Sequence, residues 1–369
     1  MTQMPPIEPR QPQPQPEPLA PPRVQIQPIP PAESPRKSRG GLCLLLLILI
    51  GSLLVNMALL TNMARNAGLG GSQMVQPMPL KSMLLEDADT DDAIAVIRID
   101  GIITERPVGG MLGGVEGTDY EFVKQQVAAA LADENVRGVV LEVNSPGGGA
   151  TASDMMLEEL KKLPAGGKKI VVHMGSVAAS GGYYVSMSGE TILAQPTTIT
   201  GSIGVIGQVM NVQGLMEDKL GIKTTVFKSG AYKDVPSAFR DMSEEEFRYV
   251  QDTLIGPFYE RFLSMVDEGR PKLTREQIRP LADGRVFMGQ VAVDNGLVDR
   301  LGSYEDAIVE ARRLAGLSQS RVIGYSRQMT VLEMLGLSSN APRSASVVNV
   351  SRDAIHSLST PEVLMLWQL

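Results

Sequence analysis

The hydrophobic pattern divides the chain into an unpatterned head, one uninterrupted apolar run, and a body of short apolar runs alternating with helical periodicity. From Ala93 the texture is α/β. Ile94–Ile99, Val136–Val143, Lys169–Met174, Thr191–Ala194 and Thr224–Phe227 read as strands, being short and rich in β-branched or apolar residues. Tyr120–Leu131, Asp154–Leu163 and Tyr304–Leu314 carry helical spacing. A longer helix is predicted from near Ser243, where Glu245 and Glu246 suit a first turn, to about Met265. A Gly/Ser/Ala-rich turn after Met174 leads into a short helix from Gly181. Strands alternating with helices imply parallel pairing, with helices covering a sheet. The last fifty residues are polar and weakly periodic, and end in the mostly apolar run Val363–Leu369.

The head cannot fold on its own. Thirteen of the 25 prolines fall in the first 35 residues, interleaved with glutamine from Gln11 to Pro16, a composition that favours extended polyproline geometry. Residues 1–38 are therefore expected to be a disordered Pro/Gln-rich tail serving as a tether, in preference to a ligand for a proline-binding module. Gly41–Leu60 holds sixteen apolar residues in twenty and no charge. At ~1.5 Å per residue it spans ~30 Å, the thickness of a bilayer core. A cleaved signal peptide fits less well, because ~40 residues precede the run and no small-residue cleavage site closes it. Residues 39–62 are predicted to be a transmembrane anchor, with Cys43 part of the span. Arg36, Lys37 and Arg39 precede it, and an acidic stretch from Glu86 to Asp92 follows. The positive-inside rule then puts the tail in the cytoplasm and the body outside, on the periplasmic side. Residues 63–92 are expected to be a linker.

Composition narrows the chemistry. With 43% hydrophobic and 20% charged residues the chain is globular overall. A net charge of −7 argues against nucleic acid as a partner. One cysteine excludes an internal disulfide framework, and two histidines, His173 and His356, leave no basis for a histidine-rich metal site. No metal or organic cofactor is expected.

Two glycine-rich loops follow predicted strands: Asn144–Gly149 and Ala178–Tyr184. Neither matches a P-loop or a dinucleotide fingerprint. Their other use is as an oxyanion hole, with backbone N–H groups aimed at a tetrahedral intermediate. Ser180, opening a helix among small residues, is either a nucleophile on a tight turn or an ordinary helix cap. A serine nucleophile needs a base. His173 lies inside a strand and His356 in the weakly patterned tail. Lysine can serve when it is neutral, and Phe227–Asp234 supplies Lys228 and Lys233. Contact with Asp234 would raise the pKa of Lys233 and work against that role.

The segments Gly175–Tyr184, Thr200–Val205 and Lys228–Asp234, followed by Asp283–Phe287 and Gly296–Gly302, closely resemble the signal peptide peptidase SppA family of serine proteases. The resemblance runs from about Ala93 to Leu317. It implies an α/β, ClpP/crotonase-like domain of ββα units over residues 93–317, with 318–369 a C-terminal extension. It also implies a Ser/Lys dyad. Ser180 falls on the nucleophile, Lys233 (in preference to Lys228) on the general base, and Ser202 on a second serine that hydrogen-bonds the lysine. Gly148 and Gly181 fall on the oxyanion hole, with Gly147 the alternative to Gly148. The single copy of the domain corresponds to the short form of the family, whose subunits form homo-oligomeric rings of about eight and share sites between neighbours. The expected function is that of a membrane-anchored serine endopeptidase acting through an acyl-enzyme. Its expected substrates are signal peptides and other short or unfolded membrane-associated polypeptides after export.

Three other readings compete. A Clp-type proteolytic subunit needs a histidine after its serine, and none lies between Ser180 and Ile355. A crotonase-type acyl-CoA enzyme has no need of a serine–lysine pair, and an extracytoplasmic position would deprive it of CoA. A catalytically idle scaffold would have no reason to keep Ser180, Ser202 and Lys233.

Overall fold

The computed structural model describes residues 80–107, 117–327 and 363–366, together with two isolated helical positions, Ser52 and Met57. The chain divides into a unit up to Gln76 and a second unit from Pro77 onward. The tail at 1–38, the span at 41–60 apart from Ser52 and Met57, Cys43 and His356 lie outside the described residues. Among the described residues no helix is long and apolar enough to cross a membrane.

The second unit is a mixed α/β structure on one large sheet. Its strands are β1 (Leu80–Glu86), β2 (Ala93–Thr104), β3 (Gly117–Asp119), β4 (Val136–Gly149), β5 (Lys169–Ala179) and β6 (Thr191–Ala194). They continue with β7 (Ile199–Gly201), β8 (Ile206–Gly207), β9 (Val286–Met288), β10 (Arg300–Leu301), β11 (Arg321–Arg327) and β12 (Val363–Leu366). The central order is β1-β11-β2-β4-β5-β6-β10. It is parallel throughout except where β1 meets β11. The expectation of a parallel sheet under helices holds.

Both faces of the sheet are covered, which is why its central strands read as continuous apolar runs rather than alternating ones. On one face Ile94, Val96, Val140, Val171 and Leu193 pack against the Tyr304–Leu314 helix through Ala307, Ile308 and Ala311. The other face holds the larger cluster, including Ile97, Ile99, Leu141, Val143 and Val172. It is roofed by α1 (Tyr120–Ala132), α2 (Ala150–Leu160), α3 (Gly181–Ser186) and a long helical segment further on.

That segment begins at Ser243 with the expected cap, whose side chain and Glu246 satisfy each other's backbone N–H groups. It comprises α4 (Glu244–Val250), a wider turn at Gln251–Ile255, and α5 (Gly256–Gly269). Pro257 has no N–H to give, and the wider turn just before it absorbs that loss. The Tyr304–Leu314 helix is α6.

Several expectations are corrected. The Asn144–Gly149 and Gly175–Ala179 stretches are not loops, because β4 and β5 run on through them to Gly149 and Ala179. They stay extended because each finds new partners beyond the main sheet: β12 pairs with β4, and β7 pairs with β5. Thr224–Phe227 is irregular and exposed rather than a strand. Its β-branched residues suit a pleat only where a neighbouring strand exists, and among the described residues none does. The sheet also reaches past 93–317: β1 comes from the expected linker, and β11 and β12 from the expected extension.

Candidate active site

The site gathers where β4 and β5 end, at the C-terminal edge of the parallel strands. β5 delivers Ser180 directly into α3. The Ser180 backbone sits at φ 53° and ψ −116°, and its side chain makes no cap hydrogen bond. Ser180 thus holds the N-cap position without capping the helix through its side chain. A non-glycine residue in this region of backbone space is strained, and such strain persists only where its surroundings enforce it. Here they do so from both sides. The Ser180 N–H donates to the Gly201 carbonyl at 2.8 Å, and its carbonyl accepts from the Tyr184 N–H at 2.8 Å.

The two tyrosines of the Gly-Gly-Tyr-Tyr sequence explain why α3 holds still. Both are fully buried. The Tyr183 hydroxyl donates to the Leu297 carbonyl at 2.9 Å, and the Tyr184 hydroxyl makes a short bond to Asp154. Burial pushes both phenols well above their ordinary pKa; for Tyr184 the Asp154 carboxylate adds to the shift. They remain neutral donors throughout the working pH range.

Ser202 follows β7 as Ser180 follows β5, and it too has positive φ, at 50°. Its N–H donates to the Arg285 carbonyl at 2.8 Å. Ser180 and Ser202 line one cavity of about 540 Å³, closed by Ile206, Ile255, Tyr259 and the Asp283–Gly284 turn. The Asp283 carboxyl is lowered to about 2 by its hydrogen bonds from Arg285, so it stays ionised at the cavity edge.

The glycine strip of β4 lies beside Ser180. A Cβ on Gly147 would come within 2.7 Å of the Gly181 nitrogen, so only glycine lets these two backbones meet. Gly147 also has φ +102°. Its N–H donates to the Ser145 hydroxyl at 3.0 Å, and that hydroxyl in turn donates to the Gly101 carbonyl at 2.6 Å. The Gly147 N–H is thus committed to Ser145. Sequence reasoning did not single out Ser145, although its place inside the Asn-Ser-Pro-Gly-Gly-Gly run was the available signal.

Lys233 is not brought to this cavity within the chain. It lies exposed on a short 3-10 turn, Ala231–Asp234, and among the described residues its amine has no hydrogen-bond or ion-pair partner. The feared contact with Asp234 does not form. Asp234 faces Arg240 and Lys228, whose hydrogen bonds hold its carboxyl far below the usual carboxylate range. Lys228 is occupied by that pair and by the Ala231 carbonyl at 3.0 Å. Tyr232 stacks on Tyr249 with ring centroids 4.5 Å apart, which fixes the turn against α4. His173, by contrast, is buried in β5 with both ring nitrogens unpartnered, and burial lowers its pKa. It lines no part of the Ser180 cavity. Among the described residues no cluster of side chains is suited to a metal ion.

Comparison with known proteins decides the family. Residues 162–318 match Peptidase family S49. A protein of Enterococcus faecium bearing the name signal peptide peptidase SppA is 36% identical over 246 residues, covering 67% of this chain and 70% of the relative. The chain belongs to the SppA family of serine proteases. Protease 4 of Salmonella typhi is 38% identical over 249 residues, and the chloroplastic serine protease SPPA of Arabidopsis thaliana 29% over 266. These alignments cover 67% and 71% of this chain but only 39% and 38% of those longer relatives. The S49 match contains Ser180, Gly181, Ser202 and Lys233, while Gly148 precedes it.

Proposed function

We propose that this S49 protease cleaves peptide bonds through a Ser/Lys dyad completed between neighbouring copies. Ser180 is the nucleophile, Lys233 the base, and Ser202 the hydroxyl that positions the lysine amine. The N–H groups of Gly148 and Gly181 receive the oxyanion. The observation that carries the reading is Ser180 itself: strained, uncapped and open to a cavity it shares with Ser202. The base must be neutral to accept the serine proton, so hydrolysis rises with pH.

Support for a shared site comes from the segment that bears Lys233. Met210, Leu215, Leu220, Ile222 and Val226 are exposed along it, and Phe227 is 95% exposed. Contiguous apolar exposure on this scale belongs to an interface. A second copy of the chain supplies both a cover for that surface and a lysine for the Ser180 cavity. The assembly we propose is a ring of about eight subunits, anchored by residues 41–60 with the catalytic domain outside the cytoplasmic membrane. Its substrates in this reading are signal peptides and other short or unfolded membrane-associated chains.

The test uses full-length chains, detergent-solubilised, and a fluorogenic peptide with an apolar residue before the cut. Ser180→Ala and Lys233→Ala alone are each expected to be inactive while assembling like the parent. Co-assembled in equal amounts, the two should recover about a quarter of parent activity, because one site in four then pairs an intact serine with an intact neighbouring lysine. Zero recovery in a verified mixed assembly would refute sharing, and activity in either single variant would refute that residue's role.

A further inference from the structure

Away from Ser180, the sheet contains a notch. β2 and β11 run side by side from Ala93 opposite Arg321 to Val96 opposite Gly324, and there their pairing ends. β11 continues to Arg327 along β1. β2 continues to Thr104 along β4 on one edge, and on the other it meets β3 only from Ile102. Among the described residues that second edge has no strand partner from Ile97 to Gly101. The gap is a cavity of about 290 Å³, at the small end of ligand pockets. It shares no residue with the Ser180 cavity.

Part of its wall is apolar: Met83 and Leu85 from β1, Val96 from β2 and Phe122 from α1. The rest is polar and incompletely bonded. Gln126 is 1% exposed, yet its amide nitrogen has no hydrogen-bond partner among the described residues. The Tyr325 hydroxyl of the same wall is buried without one as well. A buried amide left unbonded costs free energy that a leucine of similar size would not, so it calls for an occupant that bonds to it.

Four charged residues line the cavity, two of each sign: Arg98 and Arg327, Asp100 and Asp119. Asp119 is already well supplied, accepting from Arg327 at 2.6 and 2.8 Å and from the Phe122 N–H at 3.0 Å. Arg327 makes both of its bonds through one terminal nitrogen, with its guanidinium 4.4 Å from the centre of the Phe122 ring. Arg98 uses only its Nε, on Glu142 at 2.8 Å. Among the described residues the remaining guanidinium N–H groups are open to an anionic oxygen, while the carboxylate of exposed Asp100 has acceptor sites for a cation.

We infer that this notch binds a free α-amino acid or a dipeptide with an apolar side chain. Arg327 and the Gln126 amide receive its carboxylate at the buried end, and Asp100 receives its ammonium at the exposed end. Met83, Leu85, Val96 and Phe122 cover its side chain. The lining charges cancel, as do those of a zwitterion. A simple anion such as phosphate would leave the apolar wall uncovered and meet Asp100 with like charge. Molecules of this class are the end products of peptide hydrolysis. The inference goes beyond the Ser/Lys reading and does not rest on it.

The experiment is titration calorimetry on the full-length protein in detergent, with L-leucine and leucyl-leucine as probes. At least one is expected to bind with a Kd of about 1 mM or tighter, and the tighter of the two tells the amino acid from the dipeptide. N-acetyl-leucine lacks the ammonium and leucinamide the carboxylate; each should bind at least about tenfold more weakly than the better probe. Gln126→Leu deletes no hydrogen bond of the amide nitrogen, so its Tm without ligand should be no lower than the parent's, while affinity for the probe falls about tenfold or more. Asp100→Asn, a change at an exposed position, should weaken the probe and leave N-acetyl-leucine as it was. Ser180→Ala should bind like the parent. Failure of both probes to bind, equal binding of the two capped analogues and the probe, or unchanged affinity in Gln126→Leu would overturn the inference. So would loss of binding in Ser180→Ala, which would put the probe in the catalytic cavity. Binding of inorganic phosphate alone would overturn it too, reducing the notch to an anion site. None of these outcomes bears on the dyad, which is tested by hydrolysis.

Discussion

Replacing Ser180 by alanine and by glycine separates a nucleophile from a helix cap by stability as well as by activity. The Ser180 hydroxyl has no hydrogen-bond partner among the described residues, so removing it deletes no bond. Ser180→Ala should therefore change stability by less than about 0.5 kcal/mol. Ser180→Gly should do more. At φ 53° and ψ −116° the backbone occupies a region where a side chain costs about 1–3 kcal/mol. Glycine relieves that strain and returns about 0.5–1 kcal/mol through its freer unfolded chain. The net is a gain of about 0.5–2 kcal/mol, or roughly 2–4 °C in Tm per kcal/mol for a domain of this size. A capping serine behaves in the opposite way: alanine costs about 1 kcal/mol, and glycine only a few tenths. Thermal and denaturant unfolding of the three proteins, with peptide hydrolysis alongside, reads both effects. Both variants should be inactive, with stability in the order glycine above serine, and serine level with alanine. A loss of about 1 kcal/mol in Ser180→Ala with no gain in Ser180→Gly would refute the argument from strain.

Other perturbations bear on the same architecture. Gly181→Ala brings a Cβ to 2.5 Å from the Ser153 hydroxyl, which must push the Gly181 N–H off its aim; kcat should fall by about 10²–10³. Ser145→Ala orphans the Gly147 N–H at a buried position, and denaturant midpoints should report a loss of about 1–3 kcal/mol. Lys228→Ala should leave hydrolysis largely intact, since Arg240 still holds Asp234, whereas Lys233→Ala should abolish it. Asp299 sets an acid limit on stability. Burial pushes its carboxyl up, but Arg270 and the Ile192 N–H outweigh that and depress it below 3.8. Its contribution is therefore complete above the unfolded value and is lost as pH falls through the folded one. A scan of Tm from pH 7 downward should show the parent losing its advantage over Asp299→Asn below about pH 4. At neutral pH, Asp299→Ala leaves the buried Arg270 unpaired and should cost about 3–5 kcal/mol.

Most of the fold was legible because the parallel sheet is buried on both faces. Burial on both sides makes β2, β4 and β5 nearly continuous in apolar residues, and the helices between them keep their spacing. What misled was glycine. Asn144–Gly149 and Gly175–Ala179 have loop composition, yet glycine there serves close approach within an extended strand. Thr224–Phe227 misled in the other direction, since β-propensity describes a residue that fits a sheet and not the presence of a sheet to fit. The contributions of β1, β11 and β12 were hidden for a third reason: their pairing is decided by distant chain.

The site divides along the same line. Ser180 follows a strand that the pattern made visible, whereas Ser202 follows β7, which it did not, and local geometry brings the two serines to one cavity. Lys233 sits on a segment with almost no buried side chains of its own, so nothing among the described residues fixes it against Ser180. That is the expected property of a group whose place is set by a second copy, because its packing is completed only when the copies meet. If a second copy supplies the base, as proposed, hydrolysis is conditional on assembly. Dilution that dissociates the copies should abolish activity reversibly, while Ser180 keeps its strained geometry in the isolated chain. Activity per chain that stays constant through dissociation, followed by light scattering, would require Lys233 to reach Ser180 within one chain.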